Sequence, residues 1–207
     1  MMAKTYLSFS GDIHYHDHLH TTHHVLSTLL DQLVSPSPEV LDTKIVVGFD
    51  CEWRARPTPS KVCLIQLCID SNECHLFHIS AMNYTIPPLL VPLLLNDKCL
   101  KVGLNIENDF WKLQRDYNLP LDSLLVSNNK SVIDLKVMAN QLLGLSGNWS
   151  LSGLCEHLLG QSIRKEQRLT DWSQKPLTRQ QRDYAAVDAF ASYELYFEIK
   201  ANAVDGV

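Results

Sequence analysis

The chain has no apolar run approaching the about 20 residues that a membrane-spanning helix needs, so no bilayer crossing and no membrane partner are expected. Its first stretch, Met1 to Gly11, carries one lysine and no apolar segment of signal-peptide type, which argues against secretion. None of the six cysteines forms a Cys-x-x-Cys pair. Cys63 and Cys68 lie inside a strongly apolar segment, where cysteine behaves as a small hydrophobe. A reducing compartment, cytoplasm or alternatively nucleus, fits this usage better than a disulfide framework. There is no internal repeat and no linker long enough to divide the chain. Positive charge is not in excess either, since the formal net charge is −5. That disfavours nucleic-acid binding without excluding it, because the local field over a cleft matters more than the sum.

What is present suits one globular domain over residues 1–207. The 207 residues are 45% hydrophobic and 20% charged, enough for a sizeable core. Thr5 to Phe9 and Ile13 to Leu19 flank Ser10-Gly11-Asp12 and read as a hairpin. A helix is expected from about Thr22 to Val34, then a loop at Pro36 and Pro38, so hairpin and helix occupy residues 1–40. The core spans residues 45–200. Strands are expected over Ile45–Trp53, Val62–Ile69 and Cys74–Ile79, close enough in sequence for an antiparallel meander. Strand and helix then alternate. A short helix covers Leu89–Leu95, a strand Leu100–Leu104, and a helix carries Ile106, Phe110, Leu113 and Tyr117 on one face. Ser131–Asp134 reads as strand, with helices over Leu135–Leu143 and Leu151–Leu159. The last helix begins at Thr178, where Gln181 three residues on completes a capping box, and runs to about Lys200. The class implied is α/β, a mixed sheet with helices on both faces.

Five residues in three stretches carry the chemistry: Asp50 and Glu52, Asp109, then Tyr184 and Asp188. Asp50 and Glu52 are two apart on a strand and point to one face. Two such carboxylates resist ionisation together unless a cation lies between them. Asp109 falls near the start of its helix, where the dipole favours negative charge. Tyr184 and Asp188 are i and i+4 on the last helix, hence neighbours. Hard oxygen ligands of this kind suit magnesium or manganese. A pair of such ions suits phosphodiester hydrolysis, one activating water and one stabilising the leaving oxygen.

These motifs resemble those of the DEDDy 3′→5′ exonucleases, which have the ribonuclease H-like (DnaQ-like) fold. Their flanks resemble the Werner syndrome exonuclease-like family: Val47 to Trp53, Val62 to Leu67, Val102 to Leu113, Leu151 to Leu154, and Asp171-Trp172-Ser173 through Pro176-Leu177 to Asp188-Ala189. The resemblance covers roughly Ile45 to Lys200. It implies that Asp50, Glu52 and Asp188 hold a first Mg2+ or Mn2+, and that Asp50 bridges to a second supported by Asp109. It also implies that Tyr184 orients the attacking water and that the products are nucleoside 5′-monophosphates. Within the family the chain is most similar to the small plant RISC-interacting clearing exoribonucleases. That likeness implies single-stranded RNA as substrate, Argonaute complexes as partners and a ring-shaped homohexamer.

Other features are less specific. Arg164, Lys165, Arg168, Lys175, Arg179 and Arg182 either track a phosphate backbone or coat a solvated loop. Trp53 reads as packing or as a platform for the terminal base, and Arg54, Arg56 and Lys61 as contacts to a 3′ end or a neighbouring subunit. His14, His16, His18 and His20 alternate as on one strand face, with His23 and His24 following. An exposed edge or subunit contact, sensitive to mild acid, is expected of them more than a zinc site. Two further functions stay open: DNA in place of RNA as the substrate, and a nuclease-fold scaffold without activity.

Overall fold

The computed structural model describes residues 4–34, 44–126 and 130–205. Six strands form one mixed sheet in the order β1-β4-β3-β2-β5-β6. They are β1 (Asp12–His16), β2 (Ile45–Glu52), β3 (Leu64–Cys68), β4 (Glu73–His78), β5 (Cys99–Gly103) and β6 (Val132–Asp134). The expected meander is present, since β2, β3 and β4 pair antiparallel. β5 joins β2 and β6 joins β5 in parallel, as strands linked through helices do.

Helices cover both faces. α1 (Leu19–Val34), α2 (Leu90–Leu95) and α3 (Ile106–Tyr117) pack on one side. Phe49 and Cys51 of β2 point into that core, where Phe49 stacks on Phe110 at 4.7 Å. α4 (Leu135–Leu142), α5 (Leu151–Leu158) and the long α6 (Arg179–Asp205) cover the other face. α6 presents buried Ala185, Ala186, Ala189 and Ala191. Small residues let its backbone lie close to the strands. At the crossing, Gly48 has no room for a side chain: a Cβ there would sit 2.0 Å from the Ala189 carbonyl oxygen. The capping box expected at Thr178 is made. The Gln181 amide N–H donates to Thr178 Oγ1 (3.2 Å), and the Thr178 N–H donates to Gln181 Oε1 (3.0 Å).

Two sequence expectations fail at the N-terminus. Thr5–Phe9 and the following strand make no hairpin. β1 instead pairs parallel with β4, beginning at Asp12↔Glu73. The preceding residues run beside Ser162, with the Leu7 N–H donating to Ser162 O and the Ser162 N–H to Thr5 O, both 2.9 Å. Gly11 is not a hairpin turn; it lets the chain pass against the backbone of Asn72. The cause is the open edge of β4, which offers a full row of backbone partners to a strand that local sequence pairs elsewhere. The histidines do not share one strand face either. β1 ends at His16, and His18 closes a turn into α1 by accepting from the Thr21 amide and hydroxyl. His14 stacks on His75 of β4 (4.8 Å), and His16 Nε2 lies 3.2 Å from His75 Nδ1. Pro36 and Pro38 lie outside the described residues.

Candidate active site

β2 delivers Gly48, Asp50 and Glu52 to the face that α6 covers. The close crossing at Gly48 and Ala189 brings the preceding residue, Asp188, to the same point. One donor oxygen from each of Asp50, Glu52 and Asp188 lies within 4.8 Å of the others, the one such group of three among the described residues. Glu52 and Asp188 are buried at 8% and 6% exposure, while Asp50 is half-buried.

The electrostatics show what this costs. Burial pushes the Asp50 carboxyl up to about 7, opposed by the Cys51 amide and by Arg168. Glu52 is pushed well above the carboxylate range by burial, then by Asp50, Asp188 and Asp109. Asp188 moves the same way through burial and Asp50, partly offset by the hydroxyl that Tyr184 donates to it. Three carboxylates packed this closely, two of them buried, resist ionising together without positive charge among them. A cluster of hard oxygens in that condition fits divalent cations, and its residues suit the role the sequence motifs suggest.

Asp109, on α3, stands apart from the group of three. It is buried at 8% exposure and feels Asp50 on the interior strand β2. Burial, Asp50 and then Asp134 push its carboxyl upward. Asp134 was not singled out from sequence; it caps α4 by accepting from the Lys136 and Val137 amides. Tyr184 is half-buried, and burial with the nearby Asp188 and Glu52 keeps its phenol protonated.

The basic residues separate. Arg168 is exposed and acts on Asp50, Glu52 and Asp188 alike. Arg164 instead lies over the Tyr6 ring at 4.3 Å. It borders, with Lys165, Lys4 and the start of α5, a separate cavity of about 360 Å3. Arg182 lies over Tyr15 at 5.1 Å, and Arg179 sits 3.6 Å from Asp183. Trp53 packs against the core, with the buried Lys112 ammonium over its ring at 5.0 Å. Arg54 donates its backbone N–H to Ser60 Oγ (3.0 Å). Gly48, Tyr15 and His78 are given no role of their own by the sequence. Their roles come from contacts between distant segments, which no local pattern marks.

A cluster of buried carboxylates on the central strand of such a sheet, closed by a Tyr-x-x-x-Asp helix, defines a class of metal-dependent phosphodiester-cleaving sites. A family model described as 3'-5' exonuclease matches residues 22–202, and the chain belongs to that family. It is 42% identical over 156 residues to the mouse (Mus musculus) bifunctional 3'-5' exonuclease/ATP-dependent helicase WRN, covering 73% of this chain and 10% of that protein. It is 37% identical over 194 residues to an Arabidopsis thaliana 3'-5' exonuclease, covering 87% of this chain and 64% of that one. The chain thus spans less than two thirds of these relatives. The crystal structure of the Aedes aegypti Nibbler EXO domain superposes with a TM-score of 0.78 at 21% identity, over 96% of this chain and 93% of that one. The fold is accordingly that of the ribonuclease H-like, DnaQ-type exonucleases.

Proposed function

We propose that this chain is a 3′→5′ exonuclease domain that removes nucleoside 5′-monophosphates from single strands, with RNA as the preferred substrate. The observation that carries the proposal is the convergence of Asp50, Glu52 and Asp188 within 4.8 Å, beside a tyrosine hydrogen-bonded to Asp188. Asp50, Glu52 and Asp188 would hold one Mg2+ or Mn2+, and Asp50 with Asp109 would support a second. When bound, the pair supplies Lewis-acid activation of water and charge neutralisation at the leaving oxygen. The protein's own groups do the rest. The Tyr184 hydroxyl, held by Asp188, orients the attacking water toward the last phosphodiester. Glu52 lies near the terminal 3′-hydroxyl, and Arg168 meets the phosphate from the solvent side. Trp53 and Arg164 are outer contacts for the strand at most, given their present partners, and Arg54 and Lys165 are further contacts for it.

RNA rests on the similarity of the sequence to the small plant clearing exoribonucleases, as do Argonaute complexes, a homohexamer and a cytoplasmic site. The N-terminal hairpin no longer supports that subgroup. The test is a degradation ladder on 5′-labelled single-stranded RNA and the matching DNA, with magnesium, manganese or chelator. A metal-dependent ladder on RNA alone is expected. A ladder on DNA alone would replace the substrate, and no cleavage of either would leave a scaffold.

A further inference from the structure

The family match begins at residue 22, so β1 lies outside it. Yet β1 reaches the segment that precedes the active-site helix. Tyr15 Oη lies 2.5 Å from His78 Nδ1 and accepts the Leu177 N–H at 3.3 Å. His78, at 0% exposure, places Nε2 3.2 Å from the Trp172 carbonyl oxygen and 2.7 Å from Ser80 Oγ. A carbonyl only accepts, so Nε2 carries the proton and Nδ1 accepts from the Tyr15 hydroxyl. One tautomer therefore satisfies the run from Leu177 through Tyr15 and His78 to Trp172. Burial, which holds His78 neutral down to about 4, agrees with that assignment.

This run grips the segment at both ends, Trp172 and Leu177. Gln181 holds it from α6, donating from Nε2 to Thr170 Oγ1 and to Asp171 O, both at 3.1 Å. Between these anchors Trp172 is fully buried, and its ring lies 6.0 Å from that of Tyr184. Tyr184 is only half-buried, so Trp172 is a wall against which its ring is set. The connection runs through four residues, Leu177, Tyr15, His78 and Trp172, and ends beside the phenol of Tyr184.

We propose that β1 is a positioning element for the nuclease site: Tyr15 and His78 lock Trp172, and Trp172 sets Tyr184 toward the attacking water. The inference rests on the role given to Tyr184 above. Tyr15 and His78 are positioning residues and touch no reacting atom.

The test uses the full chain and 5′-labelled single-stranded RNA and DNA with manganese. Tyr15→Phe keeps the ring and removes the hydroxyl. The expected result is a fall in kcat of about tenfold, as small misplacements of a reacting group cause, with little change in KM. In a Tyr184→Phe background the same substitution should have no further effect. His78→Gln, which can both donate and accept, should retain more activity than His78→Leu. Unchanged kcat in Tyr15→Phe, or an equal loss in both backgrounds, would overturn the proposal. A second readout is independent of turnover: the ring resonances of Tyr184 in protein carrying 13C-tyrosine, assigned with Tyr184→Phe. They should shift in Tyr15→Phe, and again in His78→Gln should the first variant fold poorly. Unmoved resonances sink the clamp even if the enzyme is active. Shifted resonances in a protein that cleaves neither strand keep the clamp and dismiss the exonuclease reading instead.

Discussion

Gly48 and Ala189 touch backbone to backbone, with no space for a methyl group between β2 and α6. A Cβ at position 48 would come within 2.0 Å of the Ala189 carbonyl oxygen and 2.9 Å of the Tyr193 amide nitrogen. Backbone cannot rotate aside as a side-chain end does, so α6 itself must move. Gly48→Ala should destabilise the fold by about 1–3 kcal/mol, the usual cost of overpacking. Activity should fall further than the folded fraction, because Asp188 moves away from Asp50. Denaturant melts and specific activity of the folded protein, measured side by side, check both parts.

The carboxylate cluster predicts how the protein responds to metal. Each buried carboxylate is poised to gain from a cation that neutralises its neighbours. Adding Mg2+ or Mn2+ to chelator-treated protein should raise Tm, by about 2.7 kcal/mol of stabilisation at a hundredfold excess over Kd. Asp50→Asn and Asp188→Asn should abolish both the rise and the hydrolysis. Without metal each variant should melt at or above the parent temperature at neutral pH, since a repelling charge is gone. Thermal melts with and without metal give the answer, and a large loss of stability in metal-free Asp50→Asn would contradict it.

A pH dependence follows with a definite sign. Asp50 titrates at about 7 in the fold, well above an ordinary aspartate. A carboxyl raised on folding stabilises below its unfolded pKa, and that contribution is lost as pH rises through the folded value. In metal-free protein the Tm advantage of Asp50→Asn over the parent should therefore grow between about pH 4 and pH 7 and level off above. Parallel melts in chelator across that range are the measurement.

The β1–β4 histidines carry the opposite sign. Burial lowers His16 to about 4, with His14 adding to it, and His75 to about 3, with His16 and His14 adding to it. Asp70 opposes this for His75, and Asp17 for His16. A histidine held neutral contributes stability above its unfolded pKa, and loses it as pH falls toward the folded value. Acidification from about pH 6.5 to pH 4 should thus loosen β1. His75→Asn should flatten that part of the Tm profile. Amide exchange of β1 residues against pH locates the effect.

Among the basic residues, Arg168 alone acts on all three clustered carboxylates, so it and Arg164 should behave differently. Arg168→Ala should raise KM for single strands and reduce the salt dependence of binding by about 0.7 in log-log slope, one phosphate contact's share. Arg164→Ala should leave KM near its parent value, since that guanidinium is spent on Tyr6. Titrations at several salt concentrations separate them.

The sequence by itself determined the elements and the identity of the chemical groups. The period of apolar residues marks β2 to β5 and α3, and the Thr178–Gln181 box marks the start of α6, because both are set by neighbours a few residues apart. Asp50, Glu52 and Asp188 were legible for a related reason: i, i+2 on a strand and i, i+4 on a helix define a shared face without knowledge of the fold. Which partner a strand takes is not local. β1 could form a hairpin in principle, and only the free edge of β4 decides that it runs parallel there instead. The same holds for charge. Sequence placed Asp109 at a helix start, but the burial and the approach of Asp50 that raise its carboxyl come from the fold. Tertiary structure alone decided that Gly48 admits α6, that Arg168 faces the carboxylates while Arg164 does not, and that Tyr15 meets His78. Each depends on segments brought together by the collapse of two cores on one sheet, and distances of that kind are written in no stretch of sequence.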